Sequence, residues 1–242
     1  MNLILIALGA VVAGVIQSIA GFGAGMMLML FLPYLVGLVQ ATGLTTAICM
    51  TLSIVLFVQY RKKADYVRVT AFSVAYIAVS ALIISFIKKV DLHYLTIAFG
   101  FFLMFVSVKN LFGKRKMKID QTIPMALLFG AIGGLCSGFF AMGGPFWAMY
   151  FLSSSDDRDA YMGNTQACAT FTAIAETTAR AANGIFTLDI IPMIIIGMIF
   201  INIGKKLGIN YAKKLDSVFV GKLVYVFVGL CGIITIITQF SA

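Results

Sequence analysis

From Asn2 to Gln40 the chain carries no charged residue, yet Gly21 to Met27 reads GFGAGMM and places three glycines inside that run. An uncharged stretch of this length suits the hydrocarbon of a bilayer, which about 20 apolar residues of helix can cross. The rest of the chain follows the same rule. It is 61% hydrophobic and 11% charged, with a mean hydropathy of +1.03, which leaves no room for a soluble domain of useful size. Apolar segments run over 3–20, 26–39, 44–60, 67–87 and 92–112, then 123–140, 145–152, 160–178, 185–204 and 217–240. Most are long enough to cross, while 26–39 and 145–152 are short. None alternates apolar and polar residues as spanning strands do. The expected fold is all-α and polytopic.

The net charge of +9 is distributed as topology rather than as a nucleic-acid footprint, and no nucleic-acid partner is expected. Basic residues gather in the short joints RKK (61–63), GKRKMK (113–118), KK (205–206) and KK (213–214). The N-terminus lacks a basic stretch ahead of its apolar run, so no cleaved signal peptide is read there. Cys49, Cys136, Cys168 and Cys231 lie within apolar spans without metal-ligand spacing. They read as buried thiols, and neither a metal nor another cofactor is expected.

The chain also repeats itself. Shifted by 119 residues, Gly14 falls on Gly133, Ser18 on Ser137 and Gly25 on Gly144. Ala41 then meets Ala160, Thr46 meets Thr165, Cys49 meets Cys168, Thr51 meets Thr170 and Arg61 meets Arg180; near the end the register slips, so that Asp91 meets Asp216. Weak internal symmetry of this type marks many transporter folds. The charges choose between a parallel and an inverted repeat. An odd number of crossings per half, with 61–63 inside, puts 15 of the 18 basic residues on the cytoplasmic side. An even number gives 10 against 8, so the inverted arrangement is favoured. The expectation is two inverted repeats of about five helical segments each, 1–118 and 119–242, in one membrane domain. The N-terminus is expected outside, with loops 61–66, 109–120 and 205–216 in the cytoplasm.

In that frame the glycines acquire a use. GFGAG (21–25) and FFAMGGP (139–145) interrupt matching segments of the two halves, and paired interruptions of this kind point to a transporter's binding site. Unwound backbone at membrane depth needs protein or a water-filled cavity to satisfy it. New helices beginning near Met26 and near Pro145 would offer unpaired N–H groups and a partial positive charge to a small anion. Close helix packing is the other use for such glycines, as in GAVVAG (9–14) and GAIGG (130–134). One helix later, ATGLTTAICMT (41–51) and AYMGNTQACATFT (160–172) carry Thr45, Thr46, Asn164, Thr165 and Gln166 near helix starts. These side chains could cap the helices or contact a substrate's oxygens.

With these motifs the sequence resembles the sulfite exporter TauE/SafE family over nearly its whole length. The family carries a small-residue, glycine-rich stretch near the start of each half, followed by an A-x-x-T/S element. AGFGAG with Ala41 to Thr46, and SGFFAMGGP with Ala160 to Thr165, match it. Phe140, Ala141 and Met142 depart from it, standing where glycines are commoner. The resemblance implies an inner-membrane, multi-pass permease for small sulfur-containing anions such as sulfite, sulfonates or sulfoacetate, often an exporter. The substrate-binding residues expected are Gly23, Gly25, Met26, Thr45, Thr46, Gly143, Gly144, Asn164, Thr165, Gln166 and Arg180.

Glu176, the sole glutamate, lies in an apolar span four residues before Arg180. Charges at that depth cost about 2.5–3.5 kcal/mol on insertion scales and are usually paired or functional. A structural i, i+4 ion pair, an anion-binding Arg180 and a proton-coupling Glu176 are the three readings. Arg61 reads as a topology residue, His93 as a surface residue and SSSDDRD (153–159) as a solvated connector. The partners expected are a small anion and the lipid bilayer, and a homodimer is compatible with both. An enzyme is disfavoured, since the spans hold no pair of acids, no H-E-x-x-H and no Ser/His pairing. A phosphate loop for ATP is missing too. A membrane scaffold, or an importer of another small anion, stands as the alternative.

Overall fold

The computed structural model describes residues 2–90, 119–120, 122–153, 155 and 157–212, with individual residues of 97–111 and 226–237. Every regular element among them is helical. In chain order they are α1 (Asn2–Ala20), α2 (Ala24–Met29), α3 (Leu32–Val36), α4 (Leu38–Tyr60) and α5 (Tyr66–Phe86), then α6 (Ile123–Phe140), α7 (Gly144–Leu152), α8 (Arg158–Ala182) and α9 (Ile191–Ala212). His93, Cys231, the basic run 114–118 and the residues Lys213, Lys214 and Lys222 lie outside the described residues.

Helices α1, α4, α5, α6 and α9 are each long and apolar enough to cross a membrane. Their outward faces are apolar. Helix α9 exposes Ile191, Ile195, Ile199, Ile203 and Leu207 at four-residue spacing, one stripe of a helix. In water this stripe would be an adhesive patch, whereas lipid is its matched solvent. The polar groups are held inside instead.

Local chemistry sets the helix starts. Asp65 caps α5 by accepting from the main-chain N–H of Val67 and Arg68 at 3.2 and 3.3 Å, and Asp157 caps α8 through Ala160 N–H at 2.7 Å. The capping alternative for Thr45, Thr46, Asn164, Thr165 and Gln166 is therefore overturned. Helix α4 begins at Leu38 and α8 at Arg158, so these five side chains sit in the second and third turns. Thr46 and Thr165 bond instead to carbonyls three and four residues back within their own helices.

The expected short segment 26–39 is two helices and a bend. Pro33 sits in the first turn of α3, and Gly37, at φ 78°, turns the chain into α4 ahead of the expected residue 44. This stretch doubles back along α1. A β-carbon on Gly23 would stand 3.0 Å from Ile16, and one on Gly9 would run into the ring of Phe31. Helix α7 returns along α6 in the same way. Gly133 faces the β-carbon of Phe146 at 3.2 Å, and the rings of Phe129 and Tyr150 lie 6.1 Å apart.

The long helices pack through glycines. A β-carbon on Gly204 would land on the Val11 carbonyl and one on Gly208 would stand 2.8 Å from the Val15 carbonyl, so α1 and α9 run side by side in the same direction. Gly130 and Gly134 meet the carbonyls of Phe72 and Tyr76 likewise, which sets α6 parallel to α5. Helices α4 and α8 run antiparallel. Gly43 faces Ile185 and Phe186 at one end, Gly163 faces Tyr60 and Ala64 at the other, and the Phe57 and Phe171 rings meet between them at 5.7 Å.

Candidate functional site

Two hairpin tips meet in the middle of the molecule. Helix α1 ends at Ala20, Gly21 and Gly23 take φ of 81° and 105°, and α2 begins at Ala24. Both φ values lie where glycine is at ease. Helix α6 ends at Phe140, and Ala141 makes the turn at φ 54°, the one non-glycine residue with positive φ among those described. The tips touch: a β-carbon on Gly25 would stand 2.8 Å from the Ala141 carbonyl oxygen, and one on Gly144 would stand 3.4 Å from Phe22.

Buried helix ends leave carbonyls in need of donors, and α8 supplies them. At the end of α1, Arg158 donates to the carbonyls of Ser18 and Ile19 at 3.4 and 3.3 Å. Tyr161 donates to Ala20 at 2.9 Å, and Gln166 to Gly21 at 2.6 Å. At the end of α6, Arg180 donates to the Ser137 carbonyl at 2.8 Å. Ser18 and Ser137 are partners at the 119-residue offset, so two arginines near opposite ends of α8 hold equivalent points of the two hairpins. Arg158 and Tyr161 had no signal in the sequence beyond a topological charge and an aromatic residue.

Between the tips lies a cavity of about 50 Å³. A single water needs about 10–15 Å³ of such space, so the cavity suits a few waters or one small anion, not a large organic ligand. Its wall takes Gly23, Gly25, Met26, Thr45 and Thr46 from the first half of the chain, and Gly143 and Gly144 from the second. Trp147, Tyr76, Gln17, Ser53, Ser137, Thr172 and Glu176 complete its polar and aromatic lining. The α4 residues on the wall lie midway along that helix, and those of α8, from Ala169 to Glu176, fall in its central and later turns. Three buried polar atoms on wall residues have no hydrogen-bond partner: Thr45 Oγ1, Trp147 Nε1 and Glu176 Oε1. Unmet buried groups of this kind are costly and ask for a ligand or water.

The other expected residues stand behind the wall. Asn164 Oδ1 accepts from Asp65 N–H at 2.6 Å and ties α8 to the start of α5. Gln166 joins Gly21 and Gln17, whose amide also donates to Ser53 at 3.1 Å. Arg180 is fully buried, donating to Thr42 Oγ1 at 2.7 Å as well as to Ser137. Glu176 accepts from Ser137 Oγ at 3.0 Å. Among the described residues the one ion pair within contact distance is Arg68–Asp65, so Glu176 and Arg180 are joined through Ser137 and not directly. Trp147 went unmarked as a side chain, because a single indole in an apolar segment looks like packing until its N–H proves unpartnered.

Compared with protein families, the chain matches the model of the sulfite exporter TauE/SafE family over residues 6–235. It belongs to that family. Neither a curated protein nor a solved structure matches it. TauE/SafE membership places the chain among membrane transporters of sulfur-containing anions, in keeping with its apolar spans.

Proposed function

We propose that this TauE/SafE protein is a secondary transporter that exports a small sulfur-containing anion, such as sulfite, a sulfonate or sulfoacetate, across the cytoplasmic membrane. The observation that carries the proposal is the small cavity where the two hairpin tips meet, with unpartnered Thr45 and Trp147 donors on its wall. In this reading the tips at 21–25 and 141–144 frame the substrate near the bilayer midplane, and Thr45 and Trp147 donate to its oxygens. Arg180 contributes positive charge from behind the wall, and Glu176 is the proton-coupling residue.

The two halves are inverted repeats in this proposal. The antiparallel course of α4 and α8, partners at the 119-residue offset, supports it. So does the reciprocal packing in which the leading helix of each half lies along a later helix of the other. The N-terminus lies outside, and 61–66 and 205–216 face the cytoplasm.

The test is transport by the purified protein in liposomes loaded with labelled sulfite, with methanesulfonate and chloride as competitors outside. Exchange of sulfite that methanesulfonate inhibits and chloride does not is the expected result. Liposomes no leakier to sulfite than empty ones would overturn the proposal.

A further inference from the structure

We propose that the cavity binds its anion together with one proton, carried on Glu176, and so selects singly charged oxyanions over doubly charged ones. This rests on the anion-site reading above and specifies its ligand. The argument is one of charge balance in a buried space. Glu176 is 3% exposed and Arg180 is 0% exposed, and both hold Ser137, the carboxylate through its hydroxyl and the guanidinium through its carbonyl. In the empty cavity the two charges cancel. An anion entering beside an ionised Glu176 would leave a net buried negative charge, which a low-dielectric interior strongly resists. A proton on Glu176 removes the conflict. The anion then replaces the carboxylate as the counter-charge of Arg180, and the interior stays neutral.

The unpartnered atoms fit this exchange. Glu176 uses Oε2 for Ser137; its other oxygen, Oε1, makes no hydrogen bond of ordinary geometry, because the nearby Ser80 hydroxyl of α5 donates to the Ile77 carbonyl at 3.3 Å. Protonated there, Oε1 becomes a donor, joining Thr45 Oγ1–H and Trp147 Nε1–H as three donors for one set of anionic oxygens. The step transfers one proton from a buffer acid in the bulk solution to the carboxylate, leaves the conjugate base in solution, and makes or breaks no other bond. The titratable groups around Glu176 are few: Arg180 and Cys168 on its own helix, and Tyr76 on α5. Helix α4 adds Cys49 to the wall, and α6 and α7 face it with Ser137 and Trp147, which do not titrate. Glu176 is therefore the acid able to take up a proton as the anion arrives. A dianion such as sulfate, or sulfoacetate with its carboxylate ionised, would bring back the charge imbalance, which narrows the substrates named above to bisulfite and singly charged sulfonates.

Trp147 is the only tryptophan, so its fluorescence reports on this cavity alone. The experiment titrates the full-length protein in detergent with methanesulfonate, whose own charge is fixed, and with sulfate. Binding is followed by Trp147 emission and by calorimetry in two buffers of different ionisation heat. Methanesulfonate affinity should fall about tenfold per pH unit once Glu176 ionises in the empty protein, with one proton taken up per anion. Sulfate should bind at least about tenfold more weakly, one unit of charge being out of balance. In Glu176→Gln the pH dependence and the proton uptake should vanish while methanesulfonate still binds. Overturning results are pH-independent methanesulfonate binding in the wild type, equal affinity for sulfate, or an unchanged pH slope in Glu176→Gln. Should that variant not fold, the wild-type proton count decides alone. If calorimetry and Trp147 emission detect no binding of methanesulfonate, sulfate or sulfite at any pH, the anion site itself is wrong and this inference falls with it.

Discussion

Arg180 and Glu176 meet at one residue, Ser137, the guanidinium on its carbonyl at 2.8 Å and the carboxylate on its hydroxyl at 3.0 Å. Their spacing suits a helical ion pair. The structure assigns them complementary tasks on a neighbouring helix, so their positions are not interchangeable.

The swapped variant, Glu176→Arg with Arg180→Glu, should fail to accumulate as a folded protein. A carboxylate at 180 would face the carbonyl of Ser137 with acceptor against acceptor, and the buried charges would be stranded, at a cost of about 3–5 kcal/mol. Arg180→Lys should also lower thermal stability, since an ammonium cannot span Thr42 and Ser137 as the planar fork does. Gel-filtration profiles after heating measure both; a swapped protein as stable as the wild type would restore the simple ion pair.

Tyr161→Phe removes the donor to the Ala20 carbonyl at the buried end of α1. The expected loss is about 1–3 kcal/mol, the cost of leaving that acceptor unmet. The substitution keeps the ring and its packing, so thermal unfolding in detergent isolates the hydrogen bond. An unchanged unfolding temperature would mean that water or another donor reaches the carbonyl.

Gly25 and Gly144 should respond differently to substitution. A β-carbon on Gly25 has 2.8 Å to the Ala141 oxygen, so Gly25→Ala already pushes the tips apart. Gly144→Ala meets Phe22 at ordinary contact distance and should fold normally. Gly144→Val adds further bulk at the cavity and should weaken anion binding more than stability. Binding measured by Trp147 emission, set against heat stability, separates the two effects. Wild-type binding by a folded Gly144→Val protein would show that this glycine serves packing alone.

Cysteines introduced at Lys62, Lys206 and Lys89 test the inverted arrangement. With a membrane-impermeant maleimide applied to intact cells, Lys89→Cys should react, and the other two should react only after the membrane is opened. Lys88 already ties its end of the molecule to the far end of α8, donating to the carbonyls of Asn183 and Gly184 at 2.8 and 3.0 Å. Labelling of positions 62 and 206 from opposite sides would end the inverted repeat.

The crossing helices were legible because lipid imposes one demand along their whole length, an apolar surface about as long as the bilayer is thick. The region of the cavity was legible through the glycines, whose spacing recurs in both halves. The doubling back of 24–36 along α1 was not, because a short apolar segment carries no sign of its direction. Helix α8 was legible only in part. Its polar residues suggested helix caps or substrate contacts at Asn164 and Gln166, and the structure shows both bonded to the backbone of other segments, at Asp65 and Gly21. From sequence alone, a side chain that completes another helix's hydrogen bonds looks the same as one that waits for a ligand.

The pairing of α1 with α9 bears on how the protein is made. Helix α1 leaves the ribosome long before α9, with Val11 and Gly14, which belong against Gly204 and Ile201, still unmatched. Some 180 residues of synthesis separate it from its partner, about 10–40 s at ordinary elongation rates. Throughout that interval the seam around Gly14 stands open to any passing helix. Assembly of this protein is thus a matter of waiting, and the last-made half closes the first.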